Sequence, residues 1–243
     1  YLNGRRHDGL REELVDANPW PESVQRTFKF LTGDNRFAKN DMLYWRNRWF
    51  DCSVARKLEK TDFNCFIGSS GSSLNSIRLA KARGRWAVVD QHDVHPAFSE
   101  RLLREEIELH PDFAPLISYW PPHRDYLRCV KEELEEADRI MVYSRFALET
   151  HVQNGIQNEK LVSFPLGSDI PHLTSSSGRE RRPFRILFVG AISQRKGIKY
   201  LLEAVKRLHL RDLELVLAGR IDGSSQPLEP YQNYFKHAGF LSK

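Results

Sequence analysis

From Asp62 onward, short apolar blocks alternate with longer stretches whose apolar residues recur every three or four positions. Phe63–Ile67 reads as a strand, 68–73 as a turn, and 73–83 as a helix with Leu74, Ile77 and Ala80 on one face. Gly84 closes that helix, and Trp86–Val89 is the next strand. A charged helix covers 100–108, and a longer one runs over 124–137 into a strand at 140–143. Ser144 caps a helix over 145–153, which stops at Asn154-Gly155 before a strand at 161–164. The rhythm breaks at 171–183, PHLTSSSGRERRP, which is rich in Ser, Gly, Pro and Arg and has no apolar period. It then restarts with a strand at 184–189, a loop at 190–197, a helix at 198–208 and a strand at 213–218. Strand–helix alternation of this kind predicts parallel sheets covered by helices. The break predicts two domains and a linker: 1–172, 173–183 and 184–243. Two doubly wound lobes leave a cleft between them, where ligands of α/β sheets bind. The first fifty residues, with Trp20, Phe28, Phe30, Trp45, Trp49 and Phe50 among many charges, predict helices packed around aromatic anchors.

Composition narrows the function classes. Hydrophobic residues are 40% and charged residues 28%, a globular balance. No apolar run approaches the ~20 residues of a membrane span, and no signal peptide is visible. Lys and Arg (37) exceed Asp and Glu (32) by 5, which suits phosphate-bearing substrates or anionic lipid but is too small to imply nucleic acid. Cys52, Cys65 and Cys129 show neither CxxC nor zinc-ligand spacing, so structural thiols in a reducing compartment are expected. The nine histidines show no metal-ligand spacing and no D-x-D is present, so no metal is expected. Glu100 and Glu108, with Glu105 and Glu106, read as an ordinary charged helix face.

The strongest chemical signal is RILFVGAISQRKGIKYLLEAVKRL at 185–208. A buried strand runs into a loop at Gly190, and Arg195-Lys196-Gly197 opens an amphipathic helix. Gly190 lets backbone approach a ligand, a helix start offers free N–H groups, and Lys196 and Arg195 add charge, together a candidate anion site. GSSGSS at 68–73 either cradles a phosphate or acceptor hydroxyls, or is a turn that caps its helix.

Residues 185–208 resemble the "FVGR…KG…LL.A" segment opening the C-terminal domain of family-4 glycosyltransferases. ADRIMVYSRFALETHVQNGIQNEKLVSFPLGSD at 137–169 is similar to that family's "AD.VIV.S.F…….G….KI.VIP.GVD". Within it, Ser144 is read as a cap, Gly167 as a turn and Asp169 as conformational. CFIGSSGSSLNSIRLAKARG followed by VVDQHDVHPAFSERLLREE resembles a bacterial subgroup whose histidine faces the cleft and touches the donor sugar. His95 matches that subgroup's histidine by position, whereas His92 fits the shorter strand-to-histidine spacing of the broader family. The resemblance implies a GT-B α/β fold of two Rossmann-like lobes facing across a cleft, the second incomplete. It implies a retaining, metal-independent, cytoplasmic transferase at the inner membrane face, with a nucleoside-diphosphate-sugar as co-substrate and no cofactor. The acceptor would be a glycan or lipid-linked, with peripheral membrane contact. Donor binding falls to Gly190, Arg195 and Lys196, with Ala191 replacing the family's usual arginine, and His95 or His92 orients the sugar. The alternatives are another GT-B enzyme, such as a sugar epimerase, or a non-catalytic binding module.

Overall fold

A computed structural model describes residues 11–17, 19–32, 41–117, 124–167, 183–210 and 212–241. It contains two separate parallel sheets and divides into two compact units. The first unit combines 1–93 with 121–164, and the second combines 94–120 with 165–243. Residues 94–120, expected in the first domain, group with the second unit, as do those from 165 onward. The linker at 173–183 falls, but for Pro183, outside the described residues, as does Asp169.

In the first unit, β1 (Cys65–Ser69), β2 (Trp86–Gln91), β3 (Arg139–Val142) and β4 (Leu161–Ser163) pair in that order, all parallel. The β1 strand begins two residues later than the apolar run suggests, because Phe63 packs against the core from outside the sheet. Helices α3 (Leu74–Ala82), α5 (Arg124–Glu136) and α6 (Arg145–Gln153) connect the strands. Ile77, Ala80, Val89, Val130, Leu134 and Ile140 form the buried core. Ser144 caps α6 as expected, its Oγ accepting from the Ala147 amide at 3.1 Å. Helices α1 (Trp20–Thr32) and α2 (Met42–Leu58) precede the sheet. Their aromatics are not the buried anchors expected from the sequence: Trp20, Phe30, Trp45, Trp49 and Phe50 are all exposed.

The second unit has β5 (Phe184–Val189), β6 (Leu213–Ala218) and β7 (Lys236–Gly239), also parallel. Its helices are α4 (Pro96–Leu109) and α7 (Ile198–Leu208). Phe113 and Leu116, from the 3₁₀ turn after α4, are buried in one cluster with Ile192, Ile198, Leu202 and Leu217. Burying two side chains of this size is worth roughly 3–6 kcal/mol, which explains why 94–120 belongs with this core. The backbone agrees, since the Ser224 amide donates to the Pro115 carbonyl at 3.1 Å.

The three cysteines are free thiols. Cys129 is buried beside Glu133, and burial first, then the neighbouring carboxylate, pushes its thiol up to about 12, so it is inert. Cys65 is exposed and plays no part in the core.

The start of α3 is held by two buried carboxylates. Glu133 on α5 accepts from the amides of Gly71 at 2.6 Å and Ser73 at 2.7 Å. Asp51 on α2 accepts from the amides of Asn75 at 2.7 Å and Ser76 at 3.1 Å, and from Ser76 Oγ at 2.8 Å. Both side chains are essentially inaccessible. Burial holds the Glu133 carboxyl above the ordinary glutamate value against the amide bonds that pull it down, and Asp51 pushes the same way as burial. We expect Glu133→Ala to cost about 3–5 kcal/mol in urea unfolding, because it strands buried amides. A carboxyl whose folded pKa exceeds its unfolded value binds more protons when folded in the interval between the two. The stability of wild type relative to Glu133→Gln should therefore fall as pH rises through that interval; a difference that grew with pH would contradict this assignment.

Candidate functional site

Parallel sheets of α/β units bind ligands beyond the carboxyl ends of their strands, and each unit has one such edge. In the first unit, the β1–α3 loop 68–73 lies at that edge. Its amides are not available to a ligand. Ser70 N donates to the Asp90 carbonyl at 3.0 Å and Ser72 N to the Ser69 carbonyl at 3.2 Å, while Gly71 and Ser73 serve Glu133. The glycine- and serine-rich loop is thus the capping turn, and the phosphate-cradle alternative is excluded by its own internal carboxylates.

At the same edge, Ser69 ends β1 and pairs in register with Asp90 of β2. His92 follows β2 directly, and Tyr143 follows β3. His92 Nε2 lies 3.1 Å from Ser69 Oγ, and Nδ1 lies 3.3 Å from Asp90 Oδ1. Tyr143 donates its phenol hydrogen to the same Asp90 oxygen, and that bond raises the phenol above its ordinary pKa. The His92 and Tyr143 rings are near parallel, 18° apart, with centroids separated by 5.9 Å. His92 is exposed and Asp90 partly buried.

His95 sits differently. It is 8% exposed and forms the N-cap of α4, its Nδ1 accepting from the Ala97 amide at 3.2 Å. Accepting at Nδ1 requires that nitrogen to be unprotonated, with any proton on Nε2. Of the two candidate histidines, His92 is the one at an open strand end in the first unit, and His95 is a buried cap grouped with the second.

In the second unit, the carboxyl ends of β5 and β6 approach very closely. A Cβ on Gly219 would lie 1.8 Å from the Gly190 carbonyl oxygen, and both glycines have φ in the left-handed half, +149° and +141°. Only glycine fits at Gly219. After Gly190, Ile192 bridges to Ile221, and residues 194–196 make one 3₁₀ turn. Gly197 follows with φ +72°, and α7 starts only at Ile198. Lys196 therefore ends a turn within the expected loop, two residues before the helix. The turn leaves three consecutive amides, of Ser193, Gln194 and Arg195, without an acceptor among the described residues. Arg195 and Lys196 are exposed, and no described residue forms an ion pair with either.

Helix α4 fixes this loop. Glu106 accepts from Gln194 Nε2 at 2.8 Å and from the Tyr200 hydroxyl at 2.7 Å, and that bond raises the Tyr200 phenol's pKa. Gln194 Oε1 in turn accepts from the Lys199 amide at 3.2 Å. The Lys199 ammonium reaches Asp112 at 2.7 and 2.8 Å, and its hydrogen bonds hold that carboxyl below the usual range. Lys199 also lies over the Phe113 ring, 5.0 Å from its centroid. So Lys199 is a structural cation and Lys196 an available one.

Sequence reasoning singled out Gly190, Arg195, Lys196, His92, His95 and the 68–73 loop but missed Asp90, Tyr143, Glu133, Asp51 and Glu106. Asp90 and His92 are two apart at a strand end, a spacing that puts both on one face, and this could have been read. The partners of Glu106 and Glu133 are visible only after folding. Among the described residues, no group of three His, Cys, Asp or Glu side chains is placed to hold a metal ion, and no helix is long and apolar enough to cross a membrane.

Comparison with known proteins agrees with this architecture. The family model "Glycosyl transferases group 1" matches residues 169–239, which include the 190–197 loop. No curated protein matches. Among solved structures, Anabaena Alr3699/HepE in complex with UDP-glucose is similar over 79% of this chain, with 17% identity and a TM-score of 0.54. The same protein with UDP and glucose aligns at 16% identity, over 79% of this chain, with a TM-score of 0.54. The lipopolysaccharide outer core galactosyltransferase WaaB in its apo form aligns over 83%, with 14% identity and a TM-score of 0.52. The chain spans 51% of the length of each. At these identities the likeness concerns the fold, and the chain has an α/β fold of the GT-B type.

Proposed function

We propose that this chain is part of an enzyme that moves a sugar from a nucleoside-diphosphate-sugar to a glycan or lipid-linked acceptor, with retention and without a metal. The observation that carries the reading is the 190–197 loop. On a glycosyltransferase fold, it places two exposed cations, Arg195 and Lys196, beside three amides that meet no acceptor among the described residues, at a strand end. The family match falls on that same stretch, and one structural neighbour was solved with UDP-glucose.

Cleavage of the donor's anomeric bond leaves growing negative charge on the diphosphate. Lys196, Arg195 and the amides of Ser193, Gln194 and Arg195 stabilise it where it develops. Gly190 keeps the approach clear of side chains. His92 orients the sugar, while His95 holds the start of α4. The cations do the work that a divalent metal does in other transferases, so turnover should survive chelation by EDTA. Retention is tested by the anomeric configuration of the product. Peripheral contact with the cytoplasmic membrane face belongs to the same reading, supported by the exposed Trp20, Phe30 and Trp45 beside Arg26 and Arg46.

Losing a hydrogen bond to a charged group costs ~1.5–3 kcal/mol, or roughly ten- to a hundredfold in affinity. We expect Lys196→Ala to weaken UDP binding by that factor in calorimetry. Arg207→Ala removes the same charge from the other end of α7, about 15 Å away, and should leave binding unchanged. Equal effects of the two would mean only general electrostatics. Lys199→Ala should instead reduce stability by about 1 kcal/mol, since Asp112 is more than half exposed and solvent screens the pair. His92→Ala should lower turnover far more than UDP affinity, and wild-type turnover would remove His92 from the reaction.

A further inference from the structure

We infer that the cavity at the amino end of the first sheet is a separate carbohydrate site, in which one neutral pyranose ring of a glycan stacks on Trp86 while its hydroxyls bridge Asp138 to Lys81 and Arg85. This site is independent of the nucleotide-sugar reading and stands or falls without it.

The cavity measures about 250 Å³ and is lined by Lys81, Gly84, Arg85, Trp86 and Asp138. Lys81 lies in the last turn of α3, Gly84 and Arg85 lead into β2, Trp86 is the first residue of β2, and Asp138 immediately precedes β3. The carboxyl edge of the sheet, at Gln91, is about 16 Å away along β2. Trp86 is 54% exposed. The Arg139 guanidinium lies over the indole, 5.3 Å from its centroid, and does not line the cavity. A partly hydrated indole braced by a cation offers an apolar platform that loses little freedom when a ligand covers it.

The polar groups decide what lies on that platform. Lys81 Nζ donates to Asp138 Oδ1 at 2.9 Å, and Asp138 Oδ2 accepts from the Ala87 amide at 2.9 Å. Burial works against ionisation, but the Ala87 amide and Lys81 hold the Asp138 carboxyl below the ordinary aspartate value, so it is charged at neutral pH. Arg85 donates from Nη1 to Asn64 Oδ1 at 3.3 Å and from Nη2 to Asp62 Oδ1 at 3.2 Å. An anion in the cavity meets the Asp138 carboxylate, and both lining cations already have carboxylate partners. A cation meets Lys81 and Arg85. A hydroxyl suits both signs, because it donates to a carboxylate lone pair and accepts from a spare N–H of an ammonium or guanidinium. A pyranose carries hydroxyls on its rim and C–H groups on its faces, which matches a charged rim beside an indole. The volume falls below that of drug-sized sites and has room for one such ring.

The test follows the indole N–H signals of the full protein by ¹H–¹⁵N NMR, Trp86 being assigned by its loss in Trp86→Phe. The probes are the methyl glycosides of glucose, galactose, mannose and N-acetylglucosamine, with inorganic phosphate and UDP for comparison. At least one glycoside should shift the Trp86 signal saturably, and phosphate and UDP should not. No shift with any of the four glycosides, or a shift with phosphate alone, overturns the inference. A Trp86 shift with UDP would put the indole in the nucleotide site and overturn the separate location. Saturation transfer from the protein to the ring protons of the responding glycoside should vanish in Trp86→Ala; transfer that persists there means another surface binds the sugar and overturns the assignment. Arg85→Ala, a change in an exposed turn, should weaken the glycoside about fivefold through a lost hydrogen bond. Unchanged affinity in Arg85→Ala would overturn the bridging role. Trp86→Ala should bind UDP as wild type does. Failure of wild type to bind UDP, with the glycoside response intact, would refute the nucleotide-sugar reading and leave this site standing.

Discussion

The structure depends on where backbone N–H groups at the carboxyl ends of its strands find their acceptors. In the first unit, Glu133 and Asp51 fill the positive end of α3 from within the protein. Two carboxylates without nearby solvent are a costly device, and they persist because each accepts several short bonds from donors that would otherwise be stranded. The consequence is chemical as well as structural. A loop that looks made for phosphate is electrostatically closed to it, since an incoming anion would meet two acidic groups and no free amide.

The 190–197 loop has the opposite arrangement. Its amides are held in place by a 3₁₀ turn, its side-chain framework is tied down through Gln194 to Glu106, and its cations are left exposed. The carboxylate here supports the loop from the side instead of occupying it. Rigid support of donors that have no acceptor within the protein is what electrostatic stabilisation of a leaving group requires, because the donors need no reorganisation as charge develops. Lys199 and Lys196, three residues apart, differ in the same way: one cation is committed to Asp112 and Phe113, the other is exposed.

Much of the fold was legible because its signals are local. The strands at 184–189 and 213–218 and the helices at 145–153 and 198–208 lie where the apolar periods put them. Gly84 and Ser144 act as the boundary residues they resemble. The misreadings have a common physical origin. Glu106 looked like part of a solvated helix face, the grouping of 94–120 was hidden, and the role of GSSGSS stayed open, because each depends on contacts between residues 60 or more positions apart.

The central claim is that anion binding belongs to the 190–197 loop and not to the 68–73 loop. Hydrogen exchange with and without UDP reads both loops in one experiment. The amides of Ser193, Gln194 and Arg195 should become protected when UDP is added, while those of Gly71 and Ser73, already bonded to Glu133, should not change. Protection that appears at 71–73 and not at 193–195 would contradict the account.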